Sequence, residues 1–243
     1  GGSFEIDRVI AQTSGAINEM DFQIKQKTKA GANYFHNLVI NGTSASSGVG
    51  YVPNTFDGLK KILSGKSTEM TTDIDVSTSA MLDSNYNAFL DELDTFLALL
   101  AAKPDVLMMN NKMLTKIRSA ARRAGYYDRS KDDFGRTVET YNGILLMDAG
   151  EYYNGSATED VVATSTPDST HYGTSDIYAA KLGLDAFHGI SVDGSKMLKT
   201  YLPDMSAPGA VKKGEVELIA GAVLKNSKMA GVLKGIKLLG KTS

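Results

Sequence analysis

Cysteine is absent from this 243-residue chain, which removes disulfides, thiolate metal sites and thiol nucleophiles together and leaves folding to packing alone. Histidine is scarce. His36, His171 and His188 are far apart, and none stands in a spacing such as H-E-x-x-H that sets two ligands on one helical turn, so no metal site is expected. Long apolar runs are missing as well. The longest fall well short of the roughly 20 residues a membrane helix needs, and no basic segment followed by an apolar one opens the chain. A soluble, untargeted protein with no membrane partner is expected. Formal net charge is only −2, so the chain as a whole neither attracts nucleic acid nor is drawn to an anionic membrane. It opens Gly1-Gly2-Ser3 without methionine, which suits a tag remnant, a proteolytic product or an internal piece of a longer gene.

Catalytic patterns are also incomplete. Gly65-Lys66-Ser67 ends like a phosphate-binding loop, but that loop needs a glycine where Lys60 stands. Gly189-Ile190-Ser191-Val192-Asp193 has half of a nucleophile elbow and lacks its second glycine. The carboxylate pairs Asp132-Asp133 and Asp91 with Asp94 are explained as charged loop and helix faces, and Arg118, Arg122 and Arg123 as a basic helix surface. No catalytic residue, cofactor site or metal ligand is assigned, and the chain is read as no enzyme.

What is present is a clear order of elements. Ile17, Met20, Ile24, Gly31, Phe35 and Leu38 recur at helical spacing, with Lys25, Lys27 and Lys29 between them, and predict a helix over 17–40. Gly31 inside it suggests either the close approach of another backbone or a weak point. Residues 42–55 read as a Gly/Ser/Thr loop before a short helix from Phe56 to Leu63, and Ile74 and Val76 suggest one strand. A helix is expected from Ser84 to Ala102, burying Tyr86, Phe89, Leu90, Leu93, Phe96, Leu97 and Leu100, capped by Asp83 or Ser84 and stopped by Pro104. Val106–Met109 reads as a buried strand. Asn110 or Asn111 then caps a helix that turns Leu114, Ile117, Ala121 and Ala124 inward and ends at Gly125.

Asn142-Gly143 between Val138–Tyr141 and Ile144–Met147 predicts a two-residue hairpin. A polar loop over 150–172 is expected, then strands at Ile177–Leu184, Met197–Leu202, Glu215–Leu224 and Met229–Leu238. Helices first and mostly strands afterwards argue an α+β fold. Charge alternates in blocks: −7 over 67–111, +5 over 112–136, −6 over 148–176 and +6 over 196–241. Such blocks suit either head-to-tail contact between copies or pairing within one subunit.

Taken in order, the helix ending at Asn41-Gly42, Phe56-Asp57-Gly58-Leu59-Lys60-Lys61, Pro104-Asp105-Val106-Leu107-Met108-Met109-Asn110 and Tyr141-Asn142-Gly143-Ile144 resemble the tailed-phage major capsid protein family. The resemblance implies the Hong Kong 97-like shell fold. On it, residues 1–82 and 201–243, with the spine helix 17–40, form a peripheral domain, and 83–200 an axial domain. It implies copies of the chain as partners in pentamers and hexamers, with scaffolding protein and packaged DNA beside them. Its place would be the virion capsid, after assembly in the bacterial host cytoplasm. Family members usually carry an N-terminal arm and an extended hairpin before the spine helix. Here Phe4–Ile10 is expected as the returning strand of that hairpin, in a chain truncated before it. Two other functions stay open: an encapsulin-type nanocompartment shell, and a hydrolase or small-ligand binding domain using Ser191, His188 or the carboxylates.

Overall fold

A computed structural model describes residues 2–9, 19–44, 55–125, 128–131, 137–192 and 197–242. The first half holds β1 (Gly2–Asp7), α1 (Glu19–Asn41), α2 (Leu59–Ile62), β2 (Glu69–Thr71), α3 (Ser79–Ala98), β3 (Val106–Met109) and α4 (Asn111–Ala124). Strands dominate the rest: β4 (Asp128–Lys131), β5 (Thr137–Tyr141), β6 (Ile144–Asp148), β7 (Glu151–Tyr153), β8 (Thr158–Asp160) and β9 (Gly173–Ala180) come first. β10 (Phe187–Ser191), β11 (Leu198–Tyr201), β12 (Val211–Leu218), β13 (Ala220–Leu224) and β14 (Ala230–Leu239) follow. The α+β class expected from the sequence is the class observed.

A seven-stranded mixed sheet in the order β2-β14-β9-β3-β6-β5-β4 forms the centre. Its middle strand β3 is buried on both faces, and the alternation divides it: Leu107 and Met109 join the core under α3 and α4, while Val106 and Met108 join a second core on the other face. That second core takes in Ile40 at the end of α1, Leu59 and Leu63 around α2, and Phe187 and Ala222 of the β10–β13 ribbon. A smaller sheet, β1-β12-β11, packs Phe4, Ile6 and Val216 against Met20 and Ile24 of α1. Helix α1, 23 residues or about 35 Å long, therefore spans two cores.

Several boundaries differ from the sequence expectation for definable reasons. Helix α3 starts five residues earlier than Ser84, because Thr78 is extended and its side chain accepts the Met81 amide, the role assigned to Asp83 or Ser84. It ends at Ala98 rather than Ala102, where the Ala101 amide turns to the carbonyl of Lys228. The strand expected at Ile74 and Val76 is Glu69–Thr71 instead, with Asp75 making only an isolated bridge to Lys237. The polar segment over 150–172 holds the β7–β8 hairpin. The single strand expected over Glu215–Leu224 is two, broken at Ile219 and shared between two sheets. The start of the helix at Ile17 and the Asp132-Asp133 pair lie outside the described residues.

Other expectations hold. Asn110 caps α4 through its side chain, which accepts the Met113 amide at 2.8 Å, and Gly125 ends it at φ 76° in the left-handed region. Asn142 and Gly143 both take positive φ, 50° and 70°, and join β5 to β6 as a two-residue turn. The strand read at Phe4–Ile10 is found only in part: β1 pairs antiparallel with β12 from Gly2 to Asp7, Arg8 and Val9 are helical, and Ile10 lies outside the described residues. The final strand β14 lies between β2 and β9. Thus β2 and β14 share one sheet with β3, although the expected axial span 83–200 contains neither.

Candidate functional site

The groups considered for catalysis do not converge. His36 is exposed on α1, and His171 sits in a turn where its Nδ1 lies 2.9 Å from Asp168. His188 lies on β10, its Nδ1 buried with no hydrogen-bond partner among the described residues. Ser191 is on the same strand three residues on, hence on the opposite face, and its hydroxyl donates to the Ile219 carbonyl at 3.1 Å. A nucleophile and base cannot meet there.

The loop at Gly65 does not offer its amide to a phosphate, because the Glu69 carboxylate already accepts it. Asp94 accepts the Tyr141 hydroxyl at 2.9 Å, and that contact together with burial pushes the Tyr141 phenol well above its ordinary pKa, burial acting most. Among the described residues no three His, Asp or Glu side chains are grouped to hold a metal ion, and no helix is long and apolar enough to cross a membrane.

Part of the alternating charge is paired inside the subunit. Arg118 pairs with Glu139 and Arg123 with Asp83, so two of the three arginines of the basic helix face carboxylates of their own chain. Lys234 pairs with Glu69, Lys237 with Asp73 at 2.7 Å, and Lys181 with Asp105 at 2.7 Å. Of the two meanings the charge blocks allowed, intrachain pairing accounts for these.

The phrase Phe56-Asp57-Gly58-Leu59 has a physical basis in the end of α1. The Gly58 amide donates to the Gly42 carbonyl at 2.8 Å, and a Cβ on Gly58 would stand 2.6 Å from the carbonyl oxygens of Ile40 and Leu38. Only glycine fits this backbone crossing. Phe56 stacks near Phe35, centroids 5.8 Å apart, and Asp57 accepts both the amide and the hydroxyl of Ser44 at 2.7 Å while pairing with Lys61. Those bonds, the Lys61 contact first, hold the Asp57 carboxyl down at about 2.

Two asparagines fix the far side of the same region. Asn41, closing α1, donates to the Val161 carbonyl at 2.7 Å. Asn110, fully buried, holds its amide nitrogen 2.9 Å from the Val162 carbonyl, the Thr164 hydroxyl and the Ser175 hydroxyl alike, two N–H groups shared among three acceptors. The buried pair Val161 and Val162 is thus held from both helices, and sequence spacing gave no sign of it because the partners lie more than fifty residues apart.

What remains unsatisfied is surface. Helix α1 fully buries only Asn37 and Ile40, leaving its stripe half-buried and Phe22 and Tyr34 exposed. Against it lies a groove of about 790 Å³ whose walls include Phe22, Tyr34, Tyr153, Leu198 and Leu218. A Cβ on Gly31, also lining the groove, would meet nothing within 4 Å among the described residues, so none of their backbone packs against it. Exposed apolar side chains also recur along the sequence between 182 and 219, among them Leu184, Val192, Tyr201 and Leu202. Exposed apolar surface offers places for association.

Comparison with known proteins agrees with a surface-driven role. The family model described as SU10 major capsid protein matches residues 8–145, more than half of the chain. The holo-SrpI encapsulin complex from Synechococcus elongatus PCC 7942 matches with TM-score 0.70 and 13% identity, over 100% of this chain and 75% of that one. The capsid of a native GTA particle matches with TM-score 0.54 and 14% identity, over 97% and 71%. A protein assigned as the capsid protein of a prophage of E. coli CFT073 matches with TM-score 0.51 and 14% identity, over 96% and 76%. At such identities these likenesses show the fold, the Hong Kong 97-like one. No curated protein sequence matches.

Proposed function

The chain belongs to the SU10 major capsid protein family, and from that premise we propose that its partly uncovered α1 face and its exposed apolar strands are the surfaces by which copies tile a shell. Its role is structural rather than catalytic, and its place is the virion capsid. The observation that carries the reading is the family match over residues 8–145. The half-buried spine helix agrees with it, since a helix hydrophobic on one face must bury that face against something.

In this reading residues 1–82 and 201–243 supply the peripheral part and 83–200 the axial part, with β2 and β14 assigned to the axial part because they pair into its sheet. Copies meet in pentamers and hexamers around a packaged genome, with scaffolding protein as a further partner during assembly in the host cytoplasm. An encapsulin-type shell is the second reading, favoured by the TM-score of 0.70 to the SrpI complex over the whole chain. The content of purified particles tests the choice: nuclease-protected DNA supports the phage shell, and enclosed protein without nucleic acid supports the compartment. Negative-stain images showing no repeating assembly under any condition would refute both.

A further inference from the structure

The groove on α1 combines basic and apolar lining. Lys25, Lys27 and Lys29 line it together with Phe22, Leu198 and Leu218, and no acid is among its described lining residues. A matching shape stands elsewhere on the same chain. After β9 the turn Leu182-Gly183-Leu184-Asp185 projects two leucines, 53% and 76% exposed, followed by an exposed aspartate.

The turn is built rather than loose. Its base is held by the Asp105 carboxylate, which accepts the Leu182 amide at 2.8 Å and pairs with Lys181. The Gly183 amide donates to the Phe187 carbonyl at 3.1 Å, and the Ala186 amide closes back on Gly183 at 3.0 Å. A preorganised knob loses little freedom when it docks. Gly183 stands at φ 152°, in the region that favours glycine.

We propose that the Leu182–Asp185 turn of a second copy of this chain inserts into the α1 groove, with Leu184 against the apolar lining near Gly31 and Asp185 against Lys25 and Lys29. The inference rests on the shell reading above and names one of its contacts. Complementary charge selects the partner: a leucine knob bearing an acid fits an apolar groove bearing lysines. Knob and groove are different surfaces of the same molecule, so a contact made head to tail is heterologous and its repetition gives rings or open arrays, as a shell requires.

The absence of cysteine makes disulfide trapping free of background. With Leu184→Cys and Gly31→Cys in one chain, mild oxidation of the assembled protein yields a ladder of linked dimers, trimers and higher multimers. Each single variant links at most two chains. Asp185→Lys raises the concentration needed for assembly about tenfold, and adding Lys25→Glu with Lys29→Glu restores it. An unlinked double-cysteine protein in a wild type that assembles overturns this contact and leaves the shell function standing. Failure of the charge swap to restore assembly overturns it equally. So does loss of duplex DNA binding by Lys25→Glu with Lys29→Glu while assembly is unchanged, because the groove then serves nucleic acid. A wild type that never assembles defeats the shell reading, and the contact falls with it.

Discussion

Removing the Asn110 side chain tests how the fold is held more sharply than any surface change. In Asn110→Ala the cap on α4 disappears, at about 1 kcal/mol. The Val162 carbonyl and Ser175 hydroxyl, 2.9 Å from the amide nitrogen, each lose a donor in a site without solvent. Leaving a buried polar group unpaired costs about 1 kcal/mol at least. Ser175 keeps its bond to the Ala163 carbonyl, so the Val162 carbonyl carries most of that cost and the sum is about 2 kcal/mol, a sizeable share of the roughly 5–15 kcal/mol by which domains are stable. Asn110→Ser separates the parts, since its hydroxyl keeps a cap acceptor but is too short to reach Val162 and Ser175 together. It is expected to recover about 1 kcal/mol of the loss. Urea denaturation of the unassembled subunit, read as a shift in midpoint at constant slope, measures both. An alanine variant that loses only about 1 kcal/mol, or a serine variant as stable as the parent, would refute the clamp on the 161–164 segment.

Three further outcomes follow from the same geometry. Gly58→Ala forces a methyl to 2.6 Å from two carbonyl oxygens and is expected to cost about 2–3 kcal/mol or to prevent folding; a thermal midpoint equal to the parent's contradicts the crossing. Gly31→Ala meets open space in a helix interior and should stabilise the lone subunit by about 0.5–1 kcal/mol, seen as a higher melting temperature, whereas destabilisation would place a neighbour there. Burial, ahead of every other influence, raises the Asp176 carboxyl above its ordinary pKa, while it accepts the Gly235 amide at 3.2 Å. A raised folded pKa favours the protonated acid, so this group's contribution is full below its unfolded pKa and is lost as pH rises through the folded value. Asp176→Asn keeps the acceptor without the charge, so it should be more stable than the parent at neutral pH and lose that advantage toward pH 3. An unchanged difference across that range would remove burial as the cause.

Local signals carried the sequence reading where chemistry was local. Asn110 capping, the Asn142-Gly143 turn and the unbroken run Val106–Met109 were legible because each depends on neighbours within a few residues. Thr78 was not, since its role depends on an extended backbone that Asp83 and Ser84 compete with on paper, while Asp83 is engaged by Arg123 in space. The same holds for β7 and β8, three residues each, which pair only with one another and are too short to show a period. Charge blocks were visible, but their partners were not, because the Glu69–Lys234 pair spans 165 residues. The resemblance rested on short phrases, and the structure supplies the reason for one of them in the Gly42–Gly58 crossing. The surfaces that matter for tiling were the least legible: a half-buried helical stripe reads like a core stripe until the neighbouring elements are placed.

The central claim is that this molecule works by joining copies of itself. Sedimentation velocity of the purified protein across concentration and salt, with the largest species imaged by negative stain, tests it directly. Rings, sheets or shells of repeating subunits, growing with concentration, are the result expected. A strict monomer at every concentration and salt, in a protein whose far-UV and near-UV spectra show it folded, would contradict the account.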